Sequence, residues 1–118
     1  IIATNTTTRR ENLETPGQED LGPGGVSGRP LTERSREMIR EIYRKTGGEV
    51  PIIGVGGIFS AGDALRVIKA GASLVQVWTG FVYEGPGLPS RINDGLDQAC
   101  QRNGWDSISE AVGLDVEL

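Results

Sequence analysis

Three short apolar runs alternate with stretches of helical period, and no other feature restricts the fold of this chain so strongly. The runs are Ile1–Thr4, Val50–Val55 and Ser73–Trp78. Between the first two, residues 31–45 place Leu31, Met38, Ile39 and Ile42 on one face of a helix, with Arg and Glu opposite. Pro30 precedes this helix, and Gly47-Gly48 stops it. Between the second and third runs, Ser60 caps a helix carrying Ala64, Leu65, Val67 and Ile68. Asp63, three residues after the cap, makes an imperfect capping box, and Gly71 ends the helix. After the third run come one helical turn in "TGFVYEGPG", a long helix over 88–103 and a short one from Ser107. The long helix carries the stripe Leu88, Ile92, Leu96, Ala99 and Cys100 and closes at Asn103-Gly104. Ser107 and Glu110 form the capping box of the last.

Strands alternating with helices in this way imply a parallel sheet with right-handed crossovers. The fold class is therefore α/β. Three units do not close a barrel; they fit the last three of eight, or part of an open sheet. The first run is expected to be a short buried strand, and the second a strand buried on both faces. Residues 9–30, polar and rich in Gly and Pro, form a long loop of the kind that is usually functional or disordered. The chain opens on β-branched residues without an initiator methionine, so it is expected to be part of something longer.

Composition removes whole classes of chemistry. The chain has no histidine, which excludes Ser-His-Asp and Cys-His nucleophiles, histidine proton shuttles and histidine metal sites. Its single cysteine, Cys100, excludes a disulfide framework and a cysteine zinc site and is expected to be a buried small hydrophobe. No metal is expected. A net charge of −4 argues against a nucleic-acid surface, which wants a basic stripe, and the pair Arg9-Arg10 is expected to be solvated. No apolar run approaches the length of a membrane-spanning helix.

In such folds, ligands gather at the carboxyl ends of the strands. Here the three strands end in Thr4-Asn5-Thr6, in Gly54-Val55-Gly56-Gly57 and in Trp78-Thr79-Gly80. Small residues at consecutive strand ends, each leading toward a helix, make a phosphate cup of main-chain N–H groups. Each feature alone has a plain structural explanation: Gly56-Gly57 as a turn, Asn5 and Thr79 as caps, Trp78 as core. The pair Gly56-Gly57 does not open G-x-G-x-x-G, so no dinucleotide fingerprint is present. Co-location of all three ends on one face of the sheet is what favours a ligand site.

Five motifs occur in order: "IIATNTT", "GGVSGRPL", "VPIIGVGGI", "AGASLVQVWTGFVYEGP" and "NGWDSISEAVG". Together they resemble dihydroorotate dehydrogenase, in its membrane-associated, quinone-dependent class 2 branch, over essentially the whole chain. The resemblance implies a (β/α)8 TIM barrel, with residues 1–118 as the C-terminal part of a single FMN-binding domain. It also implies oxidation of dihydroorotate to orotate in pyrimidine (UMP) synthesis, with FMN as cofactor and a quinone as acceptor. By resemblance, Thr4 and Gly28 contact FMN, while Gly57, Trp78 and Thr79 bind its phosphate. Asn5 and Thr6 hold the pyrimidine, whose alternating N–H and C=O groups need side chains that donate and accept. The family usually has tyrosine where Trp78 stands, which matters little if the contact is made by the backbone. The catalytic base, a serine in this branch, and the quinone-binding segment are expected upstream, so no catalytic residue is assigned here. The full-length protein is expected to associate peripherally with the mitochondrial inner membrane or a bacterial cytoplasmic membrane. The 118 residues alone are expected to be inactive. A second, non-enzymatic reading is a partial barrel with at most weak FMN or phosphate binding. Another FMN- or phosphate-binding barrel with a similar Gly-Gly cup is disfavoured by Asn5-Thr6 and "SGRPL".

Overall fold

A computed structural model describes residues 1–11, 13–17 and 22–118. Three parallel strands, β1 (Ile2–Ala3), β2 (Ile53–Val55) and β3 (Leu74–Gln76), lie side by side in chain order. Helices α1 (Thr32–Lys45) and α2 (Ala61–Lys69) make the crossovers. A short α3 (Thr79–Glu84) and a long α4 (Leu88–Asn103) follow β3. A 3₁₀ turn at Arg29–Leu31 leads into α1, and another at Ile108–Ala111 follows α4. Sequential strand order with right-handed crossovers puts the crossover helices on one face of the sheet. A doubly wound sheet would carry them on both; one-sided cover is the arrangement of a barrel sector.

Register decides which strand residues meet the helices. Ala3 pairs with Gly54 and Gly54 with Val75, and the buried Ala3 and Gly54 join the core beneath Ile39 of α1 and Val67 of α2. Ile2, Ile53 and Leu74 form the neighbouring row and point to the other face. There Ile2 is 65% and Leu74 62% exposed, while Ile53 and Val55 are half-buried. The first run is thus not a buried strand, and β2 is fully buried on one face only. In a closed barrel this second face is the interior, filled by side chains from the other strands. On this face the apolar row stands exposed at Ile2 and Leu74 and half-covered at Ile53.

The helix boundaries agree with their expected caps. Ser60 Oγ accepts from the Asp63 N–H at 3.1 Å, Gly104 ends α4 with φ +71°, and Ser107 and Glu110 make a full capping box. Five residues of the expected apolar stripes are not fully buried, and of these Ile42 and Leu65 are half-buried. Met38 is 38% exposed because α1 turns it past the edge of its buried stripe, which Leu31, Ser35 and Ile39 occupy. Cys100, at the flank of the α4 stripe, is only half-buried, and Leu96 likewise packs partly buried against the core.

Within the expected loop 9–30, Asn12 and residues 18–21 lie outside the described residues. The loop is closed at its neck: the Thr7 N–H donates to the Val26 carbonyl at 3.0 Å, and the Val26 N–H donates back at 2.6 Å. Arg10 is not simply solvated, since its guanidinium donates to the Gly22 carbonyl at 2.6 Å, across the loop.

Candidate functional site

The carboxyl ends of β1, β2 and β3 open onto one cavity of about 300 Å³. All seven residues expected to bind ligands line it: Thr4, Asn5, Thr6, Gly28, Gly57, Trp78 and Thr79. Parallel pairing does this work. The Thr4 N–H donates to the Val55 carbonyl at 2.8 Å, so the end of β1 reaches the level at which β2 becomes Gly56-Gly57. Gln76 pairs with neither glycine but with Val55, which sets Val77 to Thr79 at the same level on the far side.

The glycines answer to two needs at once. Gly57 has φ +70°, and a Cβ there would stand 2.5 Å from the Thr32 nitrogen and 2.6 Å from its Cα. The first turn of α1 therefore packs directly on this backbone, and the Thr32 hydroxyl donates to the Gly57 carbonyl at 2.8 Å. Gly28 has φ +83°, and its missing side chain makes room for Thr79, whose Cγ2 would be 2.9 Å from a Cβ. Among the described residues, the N–H groups of Gly57 and Thr79 donate to no protein acceptor, whereas that of Gly56 continues the β2–β3 ladder. Two unsatisfied main-chain donors on one cavity are the natural partners of an anionic ligand.

Side chains around the cavity are already partly ordered. The Thr4 hydroxyl shares a hydrogen bond with the buried Ser35 hydroxyl at 2.8 Å, tying β1 to α1. The Ser27 and Thr79 hydroxyls share one at 2.7 Å, tying the exit of the long loop to the start of α3. Asn5 accepts the Thr6 N–H on Oδ1 at 2.8 Å, which fixes its amide plane and leaves its NH₂ as a donor. Trp78 is 71% exposed, so it is not a core residue, and only its main chain is fixed.

At the amino end of α2 some main-chain donors are already taken: the Asp63 N–H donates to Ser60 Oγ, and the Phe59 N–H to Asp63. Asp63, only 3% exposed, accepts from the Phe59 N–H at 3.0 Å as well as from Arg29 at 3.1 Å and Arg66 at 2.6 Å. Burial pushes this carboxyl's pKa up, but the Phe59 N–H and the two guanidiniums outweigh it and hold it below the usual carboxylate value. The free main-chain donors that line the cavity are thus those of Gly57, in the β2 turn, and Thr79, at the start of α3. Sequence reasoning missed Ser27, Ser35 and the Asp63 cluster; only Asp63 carried a signal, as the third residue after a cap. No group of metal-ligating side chains occurs among the described residues.

The family model for dihydroorotate dehydrogenase matches residues 1–100. The chain belongs to the dihydroorotate dehydrogenase family. A relative named dihydroorotate dehydrogenase (quinone) from Nostoc punctiforme is 54% identical over 123 residues, covering 99% of this chain and 33% of its own length. Another of that name from Deinococcus deserti is 51% identical, over 98% of this chain and 31% of its own length. Two crystal structures of the Eimeria tenella enzyme, one with ferulenol and one ligand-free, superpose with TM-scores of 0.88 and 0.89. Each is 40% identical and covers 97% of this chain, against 30% and 31% of the larger chain. The chain spans about a third of the length of the curated relatives it matches. Its three β/α units form an α/β sector with a parallel sheet, consistent with part of the TIM barrel of those enzymes.

Proposed function

We propose that the complete protein carrying this chain oxidises dihydroorotate to orotate in pyrimidine synthesis, using FMN and a quinone acceptor. The observation that carries this reading is the convergence of three strand ends on one cavity with unsatisfied main-chain donors. The residues present fit FMN. Donors without internal acceptors suit a phosphate, and glycines at positive φ keep the wall low enough for a flat ring system to approach. When bound, FMN supplies a ring that accepts a hydride.

This chain's own residues bind and orient. Gly57, Trp78 and Thr79 hold the phosphate through main-chain N–H groups. Thr4 and Gly28 border the flavin, with Thr4 held in place by Ser35. Asn5 and Thr6 hold the pyrimidine; the free NH₂ of Asn5 donates to a ring carbonyl, and the Thr6 hydroxyl donates or accepts beside it. The proton leaving the substrate goes to a serine base outside this chain. Quinone contact and peripheral attachment to a bacterial cytoplasmic or mitochondrial inner membrane belong to a segment outside it as well. No helix among the described residues is long and apolar enough to cross a membrane.

The test is made on the complete protein. It should carry stoichiometric FMN by its visible absorbance and reduce a short-chain quinone only when dihydroorotate is present. A protein that purifies without flavin, and takes none up, would overturn the proposal. An intact mass matching these 118 residues, with no flavin absorbance, would instead favour the partial-barrel reading.

A further inference from the structure

We propose that Asp63 is a positioning residue that holds Gly28 against the cavity by clamping Arg29 and Phe59, without touching the ligand itself. The inference rests on the reading of the cavity as a flavin site. Asp63 lies behind the wall and lines neither that cavity nor the larger one beside it. One of its oxygens, Oδ2, accepts both from Arg29 Nη1 at 3.1 Å and from the Phe59 N–H at 3.0 Å. A single buried oxygen thus joins the exit of the long loop to the segment that follows the glycine turn. Oδ1 takes Arg66, one turn further along α2, at 2.6 Å.

The clamp acts on Gly28 from both sides. Arg29 is its chain neighbour, and the guanidinium carbon of Arg29 lies 4.3 Å from the centre of the Phe59 ring. Phe59 in turn stands beside Gly28, its Cζ 3.6 Å from where a Cβ would be. Gly28 itself has φ +83° and ψ −146°, a conformation open essentially to glycine alone. A glycine is free to leave this conformation at little cost, so contacts from its neighbours are what hold it there. Its neighbours do so here: Thr79 on one side, and the Asp63–Arg29–Phe59 stack on the other. Arg29 is 62% exposed on its side chain, so its pairing with Asp63 adds little as a surface ion pair. What the pairing fixes is direction, because the Asp63 carboxylate is buried and already oriented by a main-chain donor.

Arg66 provides the contrast. It shares the carboxylate but sits on α2, 52% exposed, away from Gly28. The clamp therefore predicts that Arg29→Ala and Asp63→Asn behave alike, and that Arg66→Ala does not follow them. Two measurements on the complete protein decide this. In the flavin-free protein, amide hydrogen exchange of the peptide covering residues 27–31 should speed up about tenfold in Arg29→Ala and Asp63→Asn, and less than twofold in Arg66→Ala. In the FMN-loaded protein, well below its melting temperature, the visible circular dichroism of the flavin should change in the first two variants only. Their FMN dissociation constants should rise about tenfold, the scale of one charge-assisted hydrogen bond, and the double variant should be no worse than either single one. Exchange and flavin spectra that are unchanged, or that change equally in all three variants, would overturn the clamp. If the unaltered protein takes up no flavin, the cofactor reading fails, while the exchange pattern still decides whether Asp63 holds Gly28.

Discussion

Replacing Gly57 by alanine tests the packing on which the cavity depends. The residue is left-handed at φ +70°, which costs an L-residue about 1–2 kcal/mol. Its new Cβ would sit 2.5 Å from Thr32 N and 2.6 Å from Thr32 Cα, both main-chain atoms that no rotamer change can move. Helix α1 must back away by roughly 1 Å, an overpacking cost of about 1–3 kcal/mol. That shift also strains the hydrogen bond from the Thr32 hydroxyl to the Gly57 carbonyl, worth about 1 kcal/mol. Together these give about 3–6 kcal/mol, a large part of a typical domain's 5–15 kcal/mol. Gly47 supplies the control. Its φ is +62°, yet nothing lies within 4 Å of a Cβ placed there, so Gly47→Ala should cost only the conformational part, about 1–2 kcal/mol. Urea unfolding of the complete protein, followed by tryptophan fluorescence, compares the two variants. Gly57→Ala should unfold at a clearly lower midpoint than Gly47→Ala and purify with less flavin. Equal midpoints would refute the argument that α1 packs on this turn.

Three further outcomes are expected. Asn5→Ala should raise KM for dihydroorotate and lower kcat, together reducing kcat/KM about ten- to a hundredfold, because a polar group of the ligand loses its partner; steady-state kinetics measures this. Trp78→Tyr should leave melting temperature and flavin content nearly unchanged, within about 0.5 kcal/mol, since the side chain is 71% exposed and the contact proposed there is main-chain. The third concerns pH. The pKa of Asp63 is depressed in the folded state, so its stabilisation is fully present above the unfolded value near 3.9 and is lost as pH falls through the lower folded value. Asp63→Asn should therefore weaken the protein at neutral pH and flatten the acid limb of its stability curve; urea midpoints between roughly pH 2.5 and 7 check it.

Much of the candidate site was legible because it is local. The endings Thr4-Asn5-Thr6, Gly56-Gly57 and Trp78-Thr79 each follow a β-branched run, and strand alternation alone predicts that they share one face. Caps were legible for the same reason: Ser60 and Ser107 act within three residues of themselves. The Asp63 cluster was not, since Arg29 lies 34 positions away and joins it only through the fold. The bridge between Thr7 and Val26, which closes the neck of the long loop, is likewise invisible to periodicity.

The sequence by itself determined the alternation of strands and helices, the positions where the backbone must turn, and the kind of chemistry that a chain without histidine can take part in. Burial was decided by tertiary structure. Ile2 and Leu74 are as apolar as Ile39, yet they stand exposed while Ile39 is fully buried. Apolar side chains record a preference to leave water; only register and the one-sided placement of the helices decide which of them this sector covers, and which await the rest of a barrel.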